Sequence, residues 1–246
     1  MLDIFKNSTE LWSFERLLIV KSTTIVMHKF KDKEFAYWIG LVQADGSLRK
    51  RSYKNKIIFI LEFQNKDKIL VEAFQKICKE FLQRHPSIFH RRPINQWICD
   101  VGVTRLLSLF DSLDISFDDP PSPPKWAEND PNLFGAYLAG VIDGDGNIRI
   151  KRPKYPQCAI RITSGKKQTG LSESITKIMN CSVNIIRRHR KMFFKKENRI
   201  IEGTWYDMEF LVSSKTIEFV KSFILPHIKL NRKSKKLKSF IASKSH

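Results

Sequence analysis

The sequence has few of the features that mark secreted or zinc-binding proteins. Its 246 residues include only four cysteines, and the six histidines form no metal-binding pattern. The cysteines, at positions 78, 99, 158 and 181, are scattered singly without a Cys-x-x-Cys pair, so neither a disulfide framework nor a zinc site is indicated. We expect these thiols to be core residues of a protein from a reducing, intracellular compartment.

Long apolar runs and acidic residues are also scarce. The longest uncharged apolar run covers residues 133–142, whereas a membrane-spanning helix needs about 20 residues. Lys and Arg number 44 against 25 Asp and Glu, which gives a net charge of +19. The short apolar run predicts a soluble protein with no membrane partner. The excess of basic charge predicts a polyanionic partner, for which nucleic acid is the first candidate.

The most informative stretch is a nine-residue motif that occurs twice. Residues 138–146 read Leu-Ala-Gly-Val-Ile-Asp-Gly-Asp-Gly, and residues 38–46 read Trp-Ile-Gly-Leu-Val-Gln-Ala-Asp-Gly. Small residues stand four apart in each copy, at Gly40 and Ala44 and at Gly140 and Gly144. Residues at this spacing share one helix face, so each copy predicts a helix that a second helix can approach closely. The expected partner of each helix is the other copy.

Parallel packing of these helices would bring Asp45 and Asp145 together at the carboxyl ends. Two carboxylates repel one another there, because the helix dipoles are already negative at those ends. Oxygen ligands of this kind suit a hard divalent cation such as Mg²⁺. One Asp-Gly pair could simply end a helix and begin a turn, but two copies with a matched seam favour a metal site.

At these motifs the sequence resembles the LAGLIDADG homing endonucleases, in the single-chain form with two motifs, over roughly residues 34–235. The second copy is the closer match, and Gln43 replaces the acid that usually stands two places before the last acid of the motif. The resemblance implies that Asp45 and Asp145 bind the catalytic metal, Mg²⁺ or another hard divalent cation such as Mn²⁺. We expect the carbonyl groups of Ala44 and Gly144 to complete the coordination.

The resemblance also indicates where assisting residues would lie. A polar residue at the end of the second strand would orient the attacking water, and the matching positions are Asn65 and Ser164. A lysine would follow the last helix of each repeat, with Lys125 and Lys233 as the nearest candidates. Alignment on residues 226–228 instead brings Asn231 to the lysine position of the second repeat.

After each motif the pattern changes from helical to alternating, which predicts strands. Each half then reads αββαββα. We therefore expect an α+β fold with two pseudo-symmetric repeats, whose antiparallel sheets form a DNA-binding saddle. The motif helices would pack at the repeat interface.

Basic residues recur on the predicted strands and in the tail. Any one could be ordinary solubilising charge, but together they predict a nucleic-acid surface, because a β-ribbon reaches phosphates and base edges. Arg149 and Arg161 are expected to read bases, and the tail lysines to meet phosphates only. The set is Arg49, Arg51, Lys54, Arg149, Lys151, Arg152, Arg161, Arg187, Arg188, Arg190, Lys191, Lys235 and Lys236.

Five segments are predicted. An N-terminal extension without an assigned role covers residues 1–33, where Glu10 and Glu15 argue against a signal or transit peptide. The first repeat covers 34–115, a stiff proline-rich linker 116–131, the second repeat 132–226 and a basic tail 227–246. A polyproline ligand for a recognition module is the alternative for the linker.

The expected function is a monomeric, site-specific double-strand DNA endonuclease that hydrolyses phosphodiester bonds in a long pseudo-palindromic site. The resemblance implies short 3′ overhangs and mobility of the encoding intron or intervening sequence. An intron maturase that binds its host intron RNA is the alternative, and a DNA-binding regulator with inactive motifs is a third reading. For its location, the sequence does not distinguish an organelle (mitochondrion or chloroplast) from a prokaryotic cytoplasm.

Overall fold

The computed structural model describes residues 30–54, 56–117, 120–152, 155–194 and 199–244. Residues 1–29 of the predicted N-terminal extension lie outside the described residues. Within the described part, two repeats each contain one four-stranded antiparallel sheet. None of the described helices is both long and apolar enough to cross a membrane. The predicted α+β fold of two repeats is confirmed.

The first repeat begins with the motif helix. Its elements are α1 (Lys33–Asp45), β1 (Gly46–Tyr53), β2 (Lys56–Asn65), α2 (Lys68–Glu80), β3 (Ile88–Arg91), β4 (Gln96–Gly102) and α3 (Leu107–Ser112). The strand order in the sheet is β1-β2-β4-β3. A short helix in the linker, α4 (Lys125–Glu128), leads into the second repeat.

The second repeat has the same order of elements. They are α5 (Pro131–Asp145), β5 (Gly146–Lys151), β6 (Gln157–Ser164), α6 (Thr169–Met179), β7 (Val183–Phe194), β8 (Arg199–Val212) and α7 (Ile217–Phe219), which continues as one π-helical stretch (Val220–Ile224). The sheet order is β5-β6-β8-β7. A final helix, α8 (Asn231–Ala242), follows.

Both motif helices start and stop at residues suited to those positions. The carboxylates of Asp32 and Asp130 accept hydrogen bonds of 2.7 Å from the backbone N–H groups of Glu34 and Asn132, which satisfies helix-end donors that would otherwise lack a partner. Each helix ends at an aspartate that is followed at once by a strand. The local sequence therefore fixes each carboxylate at a helix-to-strand junction.

The two motif helices pack through bare backbone. A β-carbon built on Gly40 would lie 2.1 Å from the carbonyl oxygen of Tyr137, and one on Gly140 would lie 2.0 Å from that of Tyr37. Only a Cα hydrogen fits in such a space, and Cα–H···O contacts of this type recur between closely packed helices. The contact is reciprocal because the helices run parallel in matched register.

Each sheet covers the core with one face and leaves the other open. Leu61 and Phe63 of β2 are buried, and Phe63 stacks on Phe74 of α2 with ring centroids 5.4 Å apart. In the second repeat, Ile160 and Ile162 of β6 are buried in the same way. Residues of the opposite parity point to the open face, as strand geometry requires.

The C-terminal segment, predicted as a basic tail over residues 227–246, contains a helix with a buried apolar face. It forms α8, whose Leu237, Phe240 and Ile241 are buried against the second repeat. These residues stand three and four apart, which is the spacing of a helix face. The high lysine content of the segment masks this apolar stripe in the sequence.

Gly140→Ala should destabilise the protein by about 1–3 kcal/mol or more, because the added methyl group has no space and must push the two helices apart. Urea unfolding measures this change. Gly102→Ala is the matched control, since nothing lies within 4 Å of a β-carbon there. Equal stability of the two variants would contradict the close backbone contact.

Candidate metal centre and nucleic-acid interface

The two motif acids meet at the shared end of α1 and α5. A β-carbon on Gly144 would lie 2.6 Å from the β-carbon of Ala44 and 3.2 Å from Oδ2 of Asp45. The seam therefore continues to the last turn of both helices, where Asp45 and Asp145 are half-buried. The four residues predicted to supply metal ligands are brought together.

The environment of these acids disfavours two negative charges. Burial and the nearby Asp45 carboxylate raise the pKa of Asp145 to about 7. Burial also raises the pKa of Asp45, although a hydrogen bond of 2.7 Å from the amide of Asn65 opposes this shift. Such shifts are typical of functional carboxylates, and a bound cation would reverse them.

Lys233 reaches this centre from α8. Its ammonium group donates hydrogen bonds to the carbonyl oxygens of Ile142, at 2.5 Å, and Asp143, at 2.8 Å. The residue is buried, and burial lowers the pKa of Lys233 to about 8 although the nearby carboxylates Asp143 and Asp45 oppose the shift. The lysine thus places positive charge at the negative end of the α5 dipole, beside the acids.

Gln43 and Asp143 stand two residues before Asp45 and Asp145. Each of them binds the chain segment that follows its own repeat. Asp143 accepts hydrogen bonds from the Tyr37 hydroxyl, at 2.9 Å, and from the backbone of Lys229, at 2.6 Å. Gln43 accepts from the Tyr137 hydroxyl at 2.6 Å and donates to the carbonyl of Ser116 at 2.8 Å. The amide of Gln43 makes both bonds, so it replaces an acid without loss of the contact.

This Gln43 and Asp143 network is absent from the sequence analysis, although a signal exists. Tyr37 and Tyr137 occupy matching positions one turn before each motif glycine. The crossed pairing of each tyrosine with the opposite helix follows from the parallel seam. That pairing ties α1 and α5 together near the acids.

The donor set suits a hard divalent ion. The described residues include no group of three or more His, Cys, Asp or Glu side chains that could hold a metal. Two carboxylates, Asp45 and Asp145, with carbonyl oxygens at the helix ends leave coordination positions open. Mg²⁺ in proteins often takes one or two carboxylates and completes its shell with water and substrate phosphate.

The other predicted catalytic residues are placed unequally. Asn65 contacts Asp45, whereas the Ser164 hydroxyl accepts a hydrogen bond of 3.3 Å from the backbone of Lys166. The side chain of Lys125 is exposed on α4, and Asn231 is exposed at the first residue of α8. Lys233, by contrast, is buried and donates to carbonyl groups at the end of α5, so the described support of the two halves of the centre differs.

The predicted DNA-binding residues lie on the strands, in the segments that connect them and on α8, and several are both exposed and ion-paired. Arg51, Arg149, Arg152, Arg187, Arg190 and Lys235 are exposed. Arg49 pairs with Glu62 at 2.7 Å, Lys151 with Glu209 at 2.6 Å, Arg188 with Asp207 at 3.3 Å, and Lys191 with Glu202. Arg161 pairs with both Asp207 and Glu209. Lys54 is exposed in the β1–β2 turn, and Lys236 donates to the carbonyl of Ile148 at 3.4 Å.

Strand alternation assigns the β7 residues to two faces. Register with β8 puts Arg188 and Arg190 on the face that carries Asp207, and Arg187 and Lys191 on the opposite face. On β6, Arg161 shares the Asp207 face. The open face of the second sheet therefore combines basic residues with acids that the sequence analysis does not consider.

Metal-free stability should depend on pH through Asp145. A folded-state pKa near 7, above the ordinary carboxyl value, means that the folded protein binds a proton that the unfolded chain releases. Stability should then fall as pH rises from 5 to 8. Asp145→Asn should reduce this loss by about 1 kcal/mol or more. Urea unfolding at the two pH values in EDTA measures it, and identical pH slopes would refute the repulsion.

Comparison with known proteins agrees with the fold. Residues 32–88 match the family of LAGLIDADG-like domains. No curated protein matches the chain. A solved structure of I-DmoI in complex with DNA and Ca has a TM-score of 0.55 and 17% identity, over 84% of this chain and 97% of that chain. The I-LtrWI LAGLIDADG homing endonuclease bound to target DNA has a TM-score of 0.53 and 17% identity, over 87% and 92%.

Proposed function

We propose that this chain, which carries a LAGLIDADG-like domain and has the fold of the LAGLIDADG homing endonucleases, is a metal-dependent, site-specific DNA endonuclease. The observation that carries the proposal is the meeting of Asp45 and Asp145 at one end of the interface between two similar repeats. Each acid lies beside its own sheet. One centre thus serves two DNA-facing surfaces.

The substrate is double-stranded DNA. The net charge of +19 favours a polyanion, and exposed arginines such as Arg51 and Arg149 lie on the open sheet faces. Strands of this kind bring side chains to base edges in the major groove. Two repeats related by pseudo-symmetry suit a long, imperfectly palindromic site, with one repeat on each half.

The chemistry is phosphodiester hydrolysis. A hard divalent cation, Mg²⁺ or Mn²⁺, held by Asp45 and Asp145 would polarise the scissile phosphate and lower the pKa of an attacking water. Asn65 fixes the orientation of the Asp45 carboxylate through its 2.7 Å hydrogen bond. Lys233 holds an ammonium group beside both acids, where it favours the approach of phosphate and stabilises negative charge.

The active species is a monomer. The seam between α1 and α5 is formed within one chain, so the centre needs no residue from a second subunit. Sedimentation of the DNA-bound protein tests this directly, and an obligate dimer would contradict it. Similarity to homing endonucleases further supports a role in mobility of the intron or intervening sequence that encodes the chain.

Removing both acids tests the proposal. Asp45→Asn with Asp145→Asn should lower double-strand cleavage by at least about a thousandfold while DNA binding without metal is retained, because the basic sheets are unchanged. Asp111→Asn, at an exposed acid on α3, is the matched control. Cleavage of a selected target at the unmodified rate by the double variant would refute the proposed centre.

Lys233 and Lys235 form a second matched pair. Lys233→Gln should lower the cleavage rate at saturating DNA by roughly 10–1,000-fold, since it removes an ammonium group from the centre. Lys235→Gln should weaken binding slightly and leave the rate unchanged, because Lys235 is exposed on α8. Single-turnover cleavage separates rate from binding, and equal rates for both variants would exclude Lys233 from the chemistry.

A further inference from the structure

We infer that Asp207 is a positioning residue that sets base specificity in the second repeat, by orienting Arg161 and Arg188 toward guanine. This inference rests on the proposed DNA-binding function. It concerns the recognition of the target and not the cutting centre. Asp207 lies on β8, on the open face of the second sheet.

Asp207 is a nearly buried acid with three side-chain donors. Its Oδ1 accepts a hydrogen bond of 2.9 Å from Thr163, and its Oδ2 accepts from both Arg161, at 3.1 Å, and Arg188, at 3.3 Å. The Asp207 side chain is 7% exposed. One carboxylate thus bridges two guanidinium groups that come from strands on either side of it.

An acid at this place works against general affinity for DNA. Its charge repels phosphates and cancels part of the basic surface that attracts them. Its advantage must therefore lie in orientation. An arginine side chain loses substantial rotamer freedom when it binds, and holding it in place beforehand reduces that loss.

The described hydrogen bonds of Arg161 use three of its five N–H donors. Nη1 donates to Asp207, and Nε and Nη2 donate to Glu209 at 3.2 and 3.0 Å. A guanidinium group has five N–H donors, so one remains on Nη1 and one on Nη2. This pair matches the O6 and N7 acceptors of guanine, the commonest specific arginine contact.

The first repeat has a different arrangement at the corresponding place. Gly46 pairs with Phe63 of β2, and Gly146 pairs with Ile162 of β6. The residue before this partner is Glu62 in the first repeat and Arg161 in the second. Glu62 pairs instead with Arg49 of the neighbouring strand. The two half-sites are thus expected to differ in sequence, with guanines at neighbouring positions read by the second repeat.

The test compares target binding with non-specific binding. A preferred duplex is first selected from a randomised library by the unmodified protein in metal-free buffer. Dissociation constants are then measured for this duplex and for a scrambled duplex of equal length at one salt concentration. Asp207→Asn should weaken target binding about tenfold and tighten scrambled binding about two- to threefold, with loss of preference at the guanines.

Two further variants separate orientation from charge and from folding. Asp111→Asn makes the same charge change away from the sheet and should leave the ratio of the two constants unchanged. Asp207→Glu keeps the charge and should recover part of the ratio. If Asp207→Asn fails to fold, Arg161→Lys is measured in its place. It keeps the positive charge but lacks the paired donors, so it should lower the ratio of the scrambled to the target dissociation constant.

If Asp207→Asn binds both duplexes more tightly and leaves the ratio of the two dissociation constants unchanged, the inference is overturned, because Asp207 would then only balance charge. An unchanged base preference in every variant would overturn it as well. Failure of the unmodified protein to bind any duplex would refute the proposed function itself. If only the inference about Asp207 is wrong, the unmodified protein still cleaves its target DNA.

Discussion

The contact between the backbones of α1 and α5 determines the position of every other functional group. Gly40 and Gly140 each lie against a carbonyl oxygen of the opposite helix, and no side chain separates the two axes at that level. Because the helices are parallel and end at equivalent residues, Asp45 and Asp145 must meet. The strands that follow them then lead into two separate four-stranded sheets.

This constraint creates an electrostatic problem that the chain solves in part. Two acids and the carbonyl groups at two helix ends concentrate negative charge, and burial together with the Asp45 carboxylate raises the pKa of Asp145 to about 7. Two side chains counter this charge. Lys233 donates hydrogen bonds to carbonyl groups at the end of α5, and Asn65 donates one to the Asp45 carboxylate. A divalent cation is the natural complement of the charge that remains. The unequal support, with Lys233 at the end of α5 and Asn65 on Asp45, also makes the two halves chemically distinct.

The fold and the acids could be predicted from the sequence, because repeated small residues and repeated Asp-Gly pairs record the geometry directly. The alternation also predicts four strands in each repeat, although it predicts the last strand over residues 204–212, whereas β8 begins at Arg199. The role of Lys233 was harder to identify than that of the acids, since α8 carries so many lysines that its buried face is obscured. The acids on the open sheet face, Asp207 and Glu209, were not predicted, because a lone acid on a strand has no spacing signal that distinguishes it from solvent-exposed charge.

Crystallography of the protein with target DNA and Mn²⁺ tests the central claim most directly, because anomalous scattering locates the metal independently of the fold. The account predicts anomalous density within about 2.2 Å of carboxylate oxygens from Asp45 and Asp145, between the ends of α1 and α5 and beside a backbone phosphate. Metal bound elsewhere, with both carboxylates free of it in the DNA complex, would contradict the account.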